Sequence, residues 1–190
     1  KKLDPFLVRE EKYNSQEFCQ MEASVYSREA LFGPSAWIDE IHRVQLAYVN
    51  SGSASDIGAC VSFVSPAARN LEVKAGPLRM KDFIRALPYE NTLSILRMTG
   101  REIVRFLEYA YALRIDNPRG PAYNFDSAAG IRYRVYKNKP AGSRIEVVSM
   151  ADGSSFLPEE EYNVVMSTYR ARGGGGHMTG GVGLSADELP

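Results

Sequence analysis

Two tyrosines, each beside residues that bend the backbone, are the side chains of this sequence best placed to form a binding site. Tyr89 follows Pro88, which fixes its own φ and cannot continue a helix, so Tyr89 is expected on a bend. Tyr169 precedes the four glycines 173–176, whose backbone can approach a ligand closely because no Cβ intervenes. Two rings on two such loops could hold a flat ligand with apolar faces. The alternative is that both tyrosines are ordinary half-buried residues on bends.

Residues suited to metal binding are few. The chain contains two histidines, His42 and His177, so a metal site made of histidines alone is excluded. The two cysteines, Cys19 and Cys60, have no metal-ligand spacing, and the sequence leaves open whether they pair or stay free. His42 lies beside the apolar face of a predicted helix and is expected to be a hydrogen-bonded edge residue. We therefore predict no metal ligands in this chain.

Length and composition indicate one globular domain. The chain has 190 residues, of which 44% are hydrophobic and 24% charged. Its 23 basic and 23 acidic residues cancel, so no overall field favours a nucleic acid polymer or a membrane surface. No apolar run reaches transmembrane length, and no signal peptide is visible. Because the sequence starts at Lys1 rather than at Met, the missing signal says little about the compartment.

The hydrophobic pattern predicts helices and strands in alternation. Gly33-Pro34-Ser35 breaks the chain before a helix whose apolar face carries Trp37, Ile38, Ile41, Val44 and Tyr48. Further segments predict strands at 57–64, 92–98 and 162–166, a hairpin of strands 131–136 and 145–150, and helices at 80–87 and from Thr99 onward. Thr99 and Glu102 have the spacing of a capping box, which marks the start of the last helix.

These elements predict an α+β fold, a layered single domain of mixed β-sheets with helices on the outer faces. Residues 1–32 are polar and are predicted to be a lead-in, loose or partly helical. Residues 33–178 are predicted to form the domain. Residues 179–190 are polar and glycine-bearing and are expected to be a surface tail.

Four short motifs, in this order, resemble the C-terminal domain of the 5'-nucleotidase family. They lie within residues 33–176 and are Ala75-Gly76-Pro77, Pro88-Tyr89-Glu90-Asn91-Thr92, Met98-Thr99-Gly100-Arg101-Glu102-Ile103, and Tyr169 with the glycines 173–176. The Tyr-Glu-Asn segment and the four-glycine loop are most similar to a Bacteroidetes-type variant. The resemblance implies a domain that holds the nucleoside part of a nucleotide.

The resemblance also implies which residues would hold that ligand. The base would stack between Tyr89 and Tyr169, at roughly 1–3 kcal/mol per base, and Asn91 would contact the base. The remaining matches to substrate-contacting positions are Arg69 or Asn70, Gly120, Gly173 and Gly174, with a weaker match at Arg28. One departure concerns Gly175, which stands where the family has an aspartate that binds the ribose hydroxyls. Losing that acceptor removes a charge-assisted hydrogen bond, which contributes about 1.5–3 kcal/mol of binding free energy. If nucleoside binding is lost, we expect Gly175→Asp to restore affinity.

The resemblance places hydrolysis outside this chain. In the family, a separate N-terminal metallophosphatase domain binds two divalent metals through Asp, His and Asn ligands. No Asp-x-His or Gly-Asn-His-Glu segment occurs here, so we predict no catalytic residues and an inactive chain unless a metallophosphatase domain or subunit is present. The expected role is nucleotide recognition in the periplasm or at the cell surface. The alternatives are an interaction module without nucleotide affinity and a self-sufficient enzyme that uses His177.

Overall fold

The computed structural model describes residues 5–51 and 56–190 and has the predicted α+β architecture. The helices are α1 (Pro5–Asn14), α2 (Ala36–Ser51), α3 (Met80–Ala86), α4 (Gly100–Asp116) and the short α5 (Thr168–Ala171). The strands are β1 (Glu17–Met21), β2 (Val25–Tyr26), β3 (Val61–Val64), β4 (Glu72–Val73), β5 (Gly76–Arg79), β6 (Leu93–Thr99), β7 (Ser127–Ala129), β8 (Ile131–Val135), β9 (Ile145–Met150) and β10 (Glu161–Ser167). A π-helical turn covers His177–Val182, and 3₁₀ turns cover Ser27–Leu31, Ala122–Asn124, Gly174–Gly176 and Ala186–Glu188.

The central sheet has the strand order β6-β10-β3-β7 and lies between two helices. Strand β10 runs antiparallel to β6 and parallel to β3, and its residues 164–166 are fully buried. Val164 and Met166 point into the larger core with α4, whereas Val165 packs on the opposite face with Val49 of α2. Successive β10 side chains thus serve both faces, as expected for a strand covered on both sides.

The packing of α4 against the sheet follows from its sequence. Thr99 caps the helix: its Oγ1 accepts from the N–H of Glu102 at 3.3 Å, and the Glu102 carboxylate accepts from the Thr99 N–H at 2.7 Å. The predicted capping box is therefore confirmed. The apolar stripe of α4 then buries Phe106, whose ring stacks on Phe63 with centroids 3.9 Å apart.

The N-terminal region is more ordered than the predicted lead-in. Strand β1 pairs with β5, β2 pairs with β4, and the buried Ser27 exchanges hydrogen bonds with the backbone of Leu71. Residues 17–31 are thus part of the folded body. The C-terminal residues also differ from a surface tail, because Val182 is buried and Leu184 and Leu189 pack against the main core. The apolar residues of both termini are isolated within polar segments. They form no periodic pattern from which this packing could be predicted.

Helix α2 buries a partly different face from the one predicted. Trp37 and Ile38 are buried as expected, but Val44 and Tyr48 are 52% and 69% exposed. His42 and Gln45 take buried positions instead.

Hydrogen bonds to the central sheet satisfy the buried polar groups of His42 and Gln45. The two ring nitrogens of His42 bond to Ser62 Oγ at 2.8 Å and Ser127 Oγ at 3.1 Å. Gln45 Nε2 donates to Ser62 Oγ at 2.9 Å and to the Val165 carbonyl at 3.1 Å. These bonds join α2 to β3, β7 and β10.

The two buried histidines predict a loss of stability in mild acid. Burial lowers the pKa of His42 and of His177 to about 4. At a pH above about 6.5, the pKa of an unfolded histidine, both states are neutral and the stability is fully present. As the pH falls from about 6.5 towards about 4, stability is lost, because the unfolded chain takes up protons that the folded chain does not. Between pH 7 and pH 5 we expect each histidine to cost about 2 kcal/mol of unfolding free energy, measured by urea denaturation.

Substitution separates the two contributions. His42→Gln and His177→Gln should each remove about half of the change in unfolding free energy between pH 7 and pH 5. Carboxylates with a lowered pKa stay charged over this range and do not contribute to the change. An unfolding free energy that stays constant from pH 7 to pH 5 in the parent chain would contradict this assignment.

Candidate functional site

Three of the predicted ligand-binding residues line one cavity. Tyr89, Asn91 and Tyr169 lie on the wall of a cavity of about 430 Å³. Tyr89 and Tyr169 are 64% and 47% exposed to solvent. The remaining lining residues come from α2, from β3 and the loop after it, and from the segments around 87–93, 123–126 and 167–170: Ile41, Gln45, Phe63, Val64, Ser65, Ala67, Leu87, Pro88, Leu93, Tyr123, Asp126, Ser167 and Arg170.

The pairing of β6 with β10 explains why two distant tyrosines meet. Leu93 at the start of β6 lies opposite Ser167 at the end of β10, so the loops that hold Tyr89 and Tyr169 are adjacent. The Thr168 N–H donates to the Thr92 carbonyl at 2.9 Å, and the two threonine hydroxyls are 3.0 Å apart. The antiparallel register thus brings the two rings to the same end of the sheet.

Helix ends set the direction of each tyrosine. Helix α3 closes with the Leu87 N–H donating to the Phe83 carbonyl, and Pro88 prevents another turn. Ser167 caps α5, since its Oγ accepts from the Arg170 N–H at 3.3 Å, and Tyr169 lies in that first turn.

A buried ion pair anchors the far side of the cavity. Arg170 Nε and Nη2 donate to the two carboxylate oxygens of Asp126 at 2.8 and 2.7 Å, and both side chains are under 5% exposed. The same guanidinium donates to the carbonyls of Gly174 at 2.5 Å and Tyr123 at 2.7 Å. Arg170 therefore fixes the glycine loop and the Tyr123 segment at once. This pair could not be predicted from the sequence, because 44 residues separate its members and no local motif marks them.

Gly174 supports the Tyr169 ring. A Cβ on Gly174 would lie only 2.5 Å from Tyr169 Cζ, so the ring rests directly on the loop backbone. A side chain at this position would push the ring out of place.

An aspartate in place of Gly175 would not fit this loop. Its φ is +71°, a value that favours glycine, and an added Cβ would overlap Arg170 Nη1 and lie 2.8 Å from Asn124 Oδ1. A side chain here would point into the Arg170 anchor rather than into open space. This conformation does not support the expectation that Gly175→Asp restores affinity.

The other predicted contact residues lie elsewhere. Gly174 lines a second, polar cavity, whereas Arg69, Asn70, Gly120 and Gly173 line neither. Arg69 donates to the carbonyls of Pro118 and Gly120, so two predicted residues contact each other instead of the cavity. Arg28 lies over the ring of Tyr26, with its Cζ 5.2 Å from the centroid.

His177 is placed as a core residue. Its side chain is fully buried between Phe106 and Tyr109, with ring centroids 4.9 and 5.2 Å away, and it is not part of the cavity wall. This position gives no support to a mechanism in which His177 acts on a ligand in the cavity.

The loop after β3 holds the cavity wall in a strained shape. Ala67 has a φ of +57°, and the Ala68 N–H donates to the Pro66 carbonyl at 2.6 Å across it. Such conformations cost about 1–3 kcal/mol in a residue with a Cβ and concentrate at ligand sites. The indole N–H of Trp37 donates to the same Pro66 carbonyl and helps to hold the turn.

Within residues 5–51 and 56–190, no group of three or more His, Cys, Asp or Glu side chains is arranged to hold a metal ion. No helix in this part of the chain is long and apolar enough to cross a membrane.

The anchor can be tested by comparing a buried with an exposed arginine. Arg170→Met should lower the unfolding free energy by about 3–5 kcal/mol, because it leaves Asp126 buried and unpaired. Arg101→Met breaks an ion pair with Glu159 that is largely exposed to solvent, and should cost about 1 kcal/mol or less. Urea denaturation measures both. Equal losses in the two variants would contradict the anchoring role.

Known proteins with related sequences are nucleotide phosphoesterases. The trifunctional nucleotide phosphoesterase protein YfkN of Bacillus subtilis is 33% identical over an alignment of 133 positions, which covers 56% of this chain and 9% of that protein. A 2',3'-cyclic-nucleotide 2'-phosphodiesterase/3'-nucleotidase of Haemophilus influenzae is 25% identical over an alignment of 208 positions, which covers 90% of this chain and 32% of the relative. The chain thus spans a third or less of these relatives.

Solved structures share the fold at lower identity. The 5'-nucleotidase precursor from Thermus thermophilus superimposes with a TM-score of 0.75 at 21% identity, covering 91% of this chain and 33% of that one. The NAD nucleotidase of Haemophilus influenzae gives a TM-score of 0.68 at 17% identity, covering 92% of this chain and 32% of that one. The family model of the 5'-nucleotidase C-terminal domain matches residues 18–180, and the chain therefore belongs to the 5'-nucleotidase C-terminal domain family.

Proposed function

We propose that this chain recognises the nucleoside part of a nucleotide for a 5'-nucleotidase-type phosphohydrolase. The observation that carries the proposal is that Tyr89 and Tyr169 line the same cavity. Base–aromatic stacking tolerates every base, since each has a π face. Asn91, on the same wall, offers both a donor and an acceptor to a base edge.

The size and lining of the cavity support a ligand of this kind. Its volume of about 430 Å³ lies within the range of about 300–1,000 Å³ that is usual for small-molecule sites. Apolar side chains such as Phe63 and Leu93 form much of the wall, and polar side chains such as Asn91 lie among them. This combination suits the flat base of a nucleoside.

Hydrolysis belongs, in this proposal, to a metallophosphatase domain or separate subunit with two divalent metal ions. The curated relatives carry phosphoesterase or nucleotidase names and are at least three times as long as the part that this chain matches. The chain would hold the nucleoside while the other domain acts on the phosphate. We place the assembly in the periplasm or at the cell surface.

A second candidate is an interaction module without nucleotide affinity. The observation that favours it is the glycine loop, where an added side chain at Gly175 would meet Arg170 rather than a ligand. Without an acceptor there, the ribose hydroxyls would need another partner.

Calorimetric titration of the isolated chain with nucleosides and their 5'-monophosphates separates the two candidates. We expect binding by the parent chain, and a loss of about 1–3 kcal/mol of binding free energy in Tyr89→Ala and in Tyr169→Ala. Phenylalanine at either position should be tolerated, because it keeps the ring. The two alanine losses should not add, since both rings contact one ligand.

Tyr48→Ala is the matched control, because Tyr48 is an exposed tyrosine of α2 that lines neither cavity. Its affinity should equal that of the parent. Parent-like binding by both alanine variants, or no binding of any nucleoside or nucleotide by the parent chain, would refute recognition between the rings and favour the interaction module.

A further inference from the structure

A second cavity adjoins the first and is much more polar. It has a volume of about 500 Å³ and shares Asn91 and Tyr169 with the first cavity. Its other lining residues include Glu90, Thr92, Thr168 and Arg172. Because Tyr169 borders both cavities, a base stacked on its ring in the first cavity would lie next to the second.

The charged side chains of this second cavity are not occupied by the protein. Among the described residues, neither the Glu90 carboxylate nor the Arg172 guanidinium has a hydrogen-bond or ion-pair partner. Other charged groups of this structure do pair, for example Arg97 with Glu161. An unpaired carboxylate and an unpaired guanidinium thus border one recess.

The hydroxyls of the two threonines are already used in hydrogen bonds within the protein. Thr168 Oγ1 donates to the Thr92 carbonyl at 2.9 Å, and Thr92 Oγ1 lies 3.0 Å from Thr168 Oγ1. With its proton on the Thr92 carbonyl, Thr168 can only accept from Thr92, so both hydroxyl protons are used within the pair. Glu90, Arg172 and the amide of Asn91 remain to read a ligand.

We propose that Glu90 and Arg172 select guanine among the bases, an inference that rests on the proposed nucleoside recognition. A carboxylate can accept from guanine N1–H and N2–H at once, and a guanidinium is the usual partner of guanine O6 and N7. The two charges therefore match two adjacent edges of one guanine base.

Other purines match this recess less well. Adenine presents the lone pair of N1 to the carboxylate and carries an amino group in place of O6. Hypoxanthine keeps O6 and N1–H but lacks the N2 amino group. The affinity order should therefore be guanosine, then inosine, then adenosine, with about tenfold between the first two for one charge-assisted hydrogen bond.

Titrations of the chain with guanosine, inosine and adenosine test the inference. Glu90→Gln should weaken guanosine binding about tenfold or more and bring its affinity close to that of inosine. Adenosine binding should be kept or improved, because the glutamine amide can donate to adenine N1. Arg172→Gln should weaken guanosine and inosine alike, because both bases carry O6 and N7. Glu22→Gln, at an exposed carboxylate that lines neither cavity, should leave all three affinities unchanged.

The outcomes distinguish this inference from the proposed function. If nucleosides bind and Tyr169→Ala weakens them, but guanosine is not preferred or Glu90→Gln keeps the preference, the inference is wrong and nucleoside recognition stands. If no nucleoside binds the parent chain, the guanine preference and the proposed nucleoside recognition are both wrong.

Discussion

The buried ion pair of Arg170 and Asp126 is the interaction on which the cavity depends. Removing two charges from water is costly, and the cost is offset only when the pair is fully hydrogen-bonded. Here the guanidinium also binds the carbonyls of Gly174 and Tyr123, so its donors are distributed over two loops. The position of one arginine thus fixes the backbone beneath Tyr169 and the segment that brings Tyr123 into the cavity.

This anchor accounts for the glycines beside it. Gly174 must lack a side chain so that the Tyr169 ring can rest on the backbone, and Gly175 must lack one so that Arg170 keeps its place. In this chain the loop therefore supports the aromatic ring.

Much of the scaffold could be predicted from the sequence, because its signals are local. The capping box at Thr99 and the alternation of the β8–β9 hairpin depend on neighbouring residues, and both elements are present. The bends after Pro88 and around Tyr169 were also visible. The family resemblance implied that both rings contact one ligand. The β6–β10 register that brings them to one cavity was not predicted, because no local pattern shows it.

The features that escaped prediction depend on distant partners. The burial of His42 and Gln45 contradicts their polarity unless Ser62 and Ser127 are known to face them. Asp126 and Arg170 meet only in the folded chain, and the direction of Gly175 depends on that meeting. The strands within 17–31 are short edge pieces whose partners lie far along the chain, at 72–79, so their polar sequence resembled a loose lead-in.

A crystal structure of the chain with a bound nucleoside tests the central claim most directly. The account predicts that the base lies between the rings of Tyr89 and Tyr169, with the Arg170–Asp126 pair intact beneath it. A nucleoside bound at another surface, with the space between the two rings empty, would contradict the account.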